Sequence, residues 1–133
     1  MIADRMFRIA KYLDDLNSKN KVKNRKENDQ YGYAKVVEIK RGCSIWVHHL
    51  INNNLIIDLQ ISPTAQSKYN GACVSAIRDF DNLFDQTPVE RPWFHARKPD
   101  EEHTRYSIDI TTKNDEEIFN LLNKIKRFYA YPG

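Results

Sequence analysis

Residues 31–61 read YGYAKVVEIKRGCSIWVHHLINNNLIIDLQI, and their pattern decides the fold. Tyr31, Tyr33, Val36, Val37 and Ile39 form one apolar run, and Gly42 separates it from Ile45, Trp46, Val47 and the pair His48–His49. Asn52-Asn53-Asn54 then precedes Leu55, Ile56, Ile57, Leu59 and Ile61. β-Branched and aromatic side chains fit a pleated, half-buried surface. Asn and Gly accept the left-handed backbone of tight hairpins. The stretch therefore predicts three antiparallel strands in a meander. Ile45-Trp46-Val47 and Leu55-Ile56-Ile57 break strict alternation, which predicts strands covered on both faces.

Upstream, Ile2, Met6, Ile9, Leu13 and Leu16 recur at helical spacing and predict an amphipathic helix over residues 2–16. Residues 18–30 hold one apolar residue, Val22, and read as an exposed basic loop. Downstream, Ser62 and Pro63 signal a helix start. Ala65, Tyr69, Ala72, Ala76, Phe80 and Leu83 continue at helical spacing. Asn70-Gly71 interrupts that run and moves the expected start of the main helix to Ala72, with an end near Phe84 to Gln86. Trp93 to Lys98 suggests a strand, with a turn at Lys98-Pro99-Asp100. Tyr106, Ile108 and Ile110 alternate as a second strand. Asn114 and Glu117 form a capping box for a last helix lined by Ile118, Leu121, Leu122, Ile125, Phe128 and Tyr129. The expected order is α-β-β-β-α-β-β-α, one α+β domain over residues 1–133, with a mainly antiparallel sheet packed by helices.

Composition agrees with a folded domain. At 133 residues, with 41% hydrophobic and 29% charged side chains, the chain has enough apolar surface for a core and no run long enough to span a bilayer. Charges interrupt Met1-Ile2-Ala3-Asp4-Arg5, so no signal peptide is expected there and the chain is placed in the cytoplasm. In that compartment Cys43 and Cys73 are expected as free, packed thiols.

Most catalytic signatures are missing. The only glycines, Gly32, Gly42, Gly71 and Gly133, cannot form a phosphate-cradling loop, which removes nucleotide hydrolysis and dinucleotide chemistry. No pair of Cys or His has zinc-ligand spacing, and adjacent strand residues His48 and His49 point to opposite faces. One ring is expected buried and hydrogen-bonded, the other at the surface. No strand–nucleophile–helix elbow surrounds either cysteine. No metal, cofactor or catalytic residue is assigned.

The string Val36-Val37-Glu38-Ile39-Lys40-Arg41-Gly42 resembles the Glu-x-Lys strand of the PD-(D/E)xK nuclease superfamily. That resemblance implies an acid and a lysine on one strand face holding Mg²⁺ and polarising water, and strand periodicity puts Glu38 and Lys40 on one face. In that superfamily the motif strand is the third of the meander. Here it is the first, and the third carries Asp58-Leu59-Gln60. The C-terminal two-thirds, from Ser44–Ile61 through Ile108-Asp109-Ile110 to Asp115–Tyr129, is similar to a small uncharacterised domain found beside restriction-type nucleases. This implies association with nucleic acid or with prokaryotic or phage defence and counter-defence systems, and no particular chemistry.

The remaining candidates are basic and aromatic. Net charge is +3, and Lys19, Lys21, Lys23, Arg25 and Lys26 put five cations into eight residues. Trp93, Arg97 and Arg105 lie in or beside expected strands. Aromatic rings stack bases while Arg and Lys meet phosphates. Trp46 is expected in the core, core is the plain alternative for Phe94, and Trp93 is left open because Pro92 suggests a loop position. The sequence thus points to a small non-enzymatic binding protein without membrane association. Its partner is nucleic acid or an acidic protein surface, contacted through Lys19, Lys21, Lys23, Arg25, Lys26, Trp93, Arg97 and Arg105. The competing reading is a metal-dependent nuclease of PD-(D/E)xK type, or a catalytically decayed relative.

Overall fold

The computed structural model describes residues 5, 8–9, 11–13, 30–50, 53–95 and 98–130. Arg5, Arg8, Ile9 and residues 11–13 are helical. The chain continues through β1 (Gln30–Lys40), β2 (Cys43–Leu50), β3 (Leu55–Ile61), α1 (Pro63–Lys68), α2 (Asn70–Asn82), β4 (Val89–His95), β5 (Lys98–Asp109) and α3 (Asp115–Ala130). The strands form one antiparallel sheet in the order β1-β2-β3-β5-β4. This is the α+β order that the apolar periodicity predicts. No described helix is long and apolar enough to cross a membrane.

Helices pack on one face of the sheet. Ala34 and Val36 of β1, Ile45 and Val47 of β2, Leu55, Ile57, Leu59 and Ile61 of β3, and Ile108 of β5 meet Ile9, Leu13, Phe80, Ile118, Leu122 and Ile125 in one buried cluster. Burying each large aliphatic or aromatic side chain contributes on the order of 2 kcal/mol, so this face supplies the main driving force. Arg5 donates to the Thr111 and Lys113 carbonyls, Arg8 donates to Asp115 at 2.7 Å, and Tyr12 stacks on Phe119. These contacts hold the first helical residues beside α3. Cys43 and Cys73 are free and buried in the same core. Burial, the neighbouring Cys73 charge and a hydrogen bond to Cys73 push the Cys43 thiol up to about 12.

Local chemistry explains the joints. Gly42 sits at φ +84° in the β1–β2 turn, and its carbonyl accepts from the Ser62 N–H at 2.8 Å. Ser62 in turn caps α1, its Oγ accepting from the Ala65 N–H at 3.1 Å. Asn53, at φ 76°, takes the left-handed position after β2. The Asn114–Glu117 box closes with both bonds, 3.0 and 2.9 Å.

Two expectations need correction. The break in the helical run falls at Tyr69, so Asn70-Gly71 opens α2, and α2 ends at Asn82, ahead of Phe84. The β4–β5 turn does not use Lys98-Pro99-Asp100, because Lys98 already pairs with His95. Phe94 is 49% exposed, because it lies near the end of the β4–β5 ribbon, where many side chains are open to solvent.

Candidate functional site

The second face of the sheet has no helix on it among the described residues, yet its centre is dry. Strand pairing sets its rows. Trp46, Asp58, Ser107 and Val89 lie opposite one another across β2, β3, β5 and β4. The next row holds Ser44, Gln60, Arg105 and Arg91, and beyond it His103 opposes Trp93. On the other side of the first row lie His48 and Ile56, with Tyr33 of β1 opposite His48. Asp58 is 1% exposed and His48 4%. On this face, as on the helix side, β2 and β3 are therefore buried at these positions.

Asp58 is the hub. Its Oδ1 accepts from the Ser107 hydroxyl at 2.5 Å, and its Oδ2 lies 3.1 Å from His48 Nε2 and 3.8 Å from Arg105 Nη1. The Gln60 amide stands 3.1 Å from the same His48 nitrogen. Burial works to raise the Asp58 carboxyl. The hydrogen bond and charge of His48, the charge of Arg105 and the Ser107 hydroxyl outweigh it, so the carboxyl is held below its ordinary value. A carboxylate so enclosed aims its neighbours rather than reaching a substrate.

Two aromatic groups flank the hub. Tyr33 meets Trp46 edge-on at 5.7 Å and lies 6.1 Å from His48, and the Lys35 ammonium sits 5.2 Å above the Trp46 ring. On the other side Trp93 meets His103 edge-on at 5.0 Å. Trp46 is thus half-buried on the open face rather than in the core, and Trp93 lies within strand β4. His49, on the helix side, is buried with its Nε2 3.4 Å from Asn53 Oδ1, so neither ring of the histidine pair is a surface ring.

The β4–β5 ribbon carries charge on both faces. Arg91 and Arg105 are direct partners on the open side, whereas Glu90 and Glu102 face the helix side, beside a cavity of about 530 Å³ under α1. Arg105 is largely buried, its side chain 19% exposed. Its Nε makes no hydrogen bond among the described residues. Burial lowers its pKa, Asp58 opposes the shift and Arg91 adds to it.

Of the sequence candidates, Trp93 and Arg105 come together, one strand and one row apart. Lys19, Lys21, Lys23, Arg25, Lys26 and Arg97 lie outside the described residues. Sequence reading missed Arg91, whose partner depends on β4–β5 register, and Asp58, His48 and Ser107, which converge only across three strands. The Glu38–Lys40 pair does not share a face. A bulge between them pairs Glu38 with Ser44 and Lys40 with Cys43. Glu38 lies 3.8 Å from Lys35 on the open side, and the Lys40 ammonium sits 5.6 Å from the Tyr69 ring on the helix side. No group of three His, Cys, Asp or Glu among the described residues could hold a metal ion. Comparison with protein-family models, curated proteins and solved structures found no match.

Proposed function

We propose that this protein is a non-enzymatic nucleic-acid-binding module that uses the open face of its sheet. One observation carries the reading: Arg91 and Arg105 stand directly opposite each other on that face, next to Trp93. Like charges opposed across strands destabilise a sheet. A pair kept in that position, with one member largely buried, suits an anionic partner that neutralises it. Tryptophan beside arginine adds a stacking surface to a phosphate contact. The basic segment Lys19–Lys26 is a second source of cations in the sequence. The enclosed Asp58 and the separated Glu38 and Lys40 favour binding over metal-dependent cleavage.

Trp46 and Trp93 are the only tryptophans and both lie on this face, so selectively excited tryptophan fluorescence reports on it. Titration with a mixed-sequence oligonucleotide at low salt should quench that emission. Three phosphate contacts, to Lys35, Arg91 and Arg105, would give a log–log salt slope of roughly −2. Polyglutamate competing as well as the oligonucleotide would replace nucleic acid by an acidic protein surface. Divalent-metal-dependent cleavage of the oligonucleotide would replace it by the nuclease reading.

A further inference from the structure

Arg105, Arg91 and Trp93 form a smaller unit within this face, and its geometry narrows the ligand. From Trp46 to Arg105 is two strands and one row. From Arg105 to Trp93 is one further strand and one further row. At about 4.8 Å between strands and about 6.7 Å between rows, these steps are roughly 12 Å and roughly 8 Å. The aromatic, cationic and aromatic positions therefore run as a diagonal across the sheet. No described helix or loop projects from the face to enter a groove of a duplex. A single strand lays bases and phosphates along such a diagonal, whereas a duplex keeps its base faces stacked away from the tryptophans.

Charge complementarity is local. Arg91 is exposed on edge strand β4, and Arg105 lies directly opposite. Nη1 of Arg105 is 3.8 Å from Asp58, near enough for attraction and too far for a hydrogen bond. The acids on this face are otherwise engaged: Asp58 by Ser107 and His48, Glu38 within 3.8 Å of Lys35, Glu101 within 3.9 Å of Lys98 and 3.8 Å of His103, and Asp109 by the Thr111 N–H at 2.9 Å. A phosphodiester between the two guanidiniums would accept from both and remove their repulsion.

We infer that Arg91 and Arg105 form a phosphodiester-binding site for single-stranded nucleic acid, with the adjoining base stacked on Trp93. This rests on the open face being the nucleic-acid surface. DNA and RNA strands both qualify, because phosphate and base faces are common to them.

The test uses fluorescently labelled ten-residue oligothymidylate and oligouridylate, with an unlabelled twenty-base-pair duplex as competitor. It compares the wild-type protein with Arg91→Gln and Trp93→Leu. Arg91→Gln should weaken binding of both strands about five- to tenfold and reduce the salt slope by about 0.7, the value of one phosphate contact on a single strand. The same variant should melt at an equal or higher temperature, since a like-charge pair is lost, which separates lost contact from lost fold. Trp93→Leu should weaken binding by at least fivefold with the slope unchanged. Strand binding with affinity and slope untouched by Arg91→Gln would overturn this site and leave the face reading standing. A duplex binding more tightly than either strand would overturn the single-strand assignment. Failure of both strands to bind at low salt would overturn the face reading itself.

Discussion

Asp58 shows how much one side chain organises. It is buried on a face that carries no helix among the described residues, and His48, Ser107 and Arg105 converge on it from two neighbouring strands. Because its folded pKa lies below the ordinary value of 3.8, its contribution to stability is complete above that value and is lost as pH falls through the lowered folded value. Removing the charge leaves Arg105 buried beside a neutral group, and breaking a buried pair in this way costs about 3–5 kcal/mol. Urea unfolding at pH 7 should therefore find Asp58→Asn less stable by about 3 kcal/mol. The gap between the two proteins should narrow steadily as pH falls below about 4, and a gap constant from pH 7 to pH 2 would remove Asp58 from this role. Nothing in the one-dimensional string marks the residue. Asp58-Leu59-Gln60 reads as an interrupted apolar strand, and the partners that explain the interruption lie 10, 47 and 49 residues away.

At the scale of elements, the corner formed by the β1–β2 turn and the start of α1 ties sheet to helix. Gly42 is the joint. Its positive φ disfavours a side chain, and an added Cβ would strike the Ser62 hydroxyl that caps α1. Gly42→Ala should cost about 1–3 kcal/mol through backbone strain and loss of the cap, read as a lower melting temperature. An unchanged melting temperature would mean that α1 does not depend on this corner. Such joints were legible: Ser62-Pro63, Asn114 with Glu117 and the Asn-rich hairpin each place a donor or acceptor a few residues from the group it satisfies. Bulges were not legible. Register shifts at Lys35–Val37 and Glu38–Lys40 in β1 follow from pairing with β2, and they turn a same-face Glu–Lys pair into an opposite-face pair. Those bulges blunt one sheet edge, and Pro92, which lacks an N–H, blunts the other at β4.

For the whole molecule, the sheet has one face built to fold and one face built from polar and aromatic groups. Periodicity made the first face readable, because Leu13, Ile57, Phe80 and Leu122 recur where a core requires them and all four are fully buried. The second face follows no period. It arises from the order β3-β5-β4, which brings Arg91, Arg105 and Trp93 beside Asp58 only after the chain has crossed α1 and α2. Its two tryptophan indoles are also its best probes. Nitrogen-15-labelled protein titrated with a ten-nucleotide single strand should show both indole N–H signals moving, together with the amides of Arg91, Trp93, His103 and Arg105. The amides of α2 and α3 should stay in place. Shifts confined to the helix side, around Leu83, Asn120 and Phe128, with both indole signals unmoved, would contradict the assignment of the open face as the binding surface.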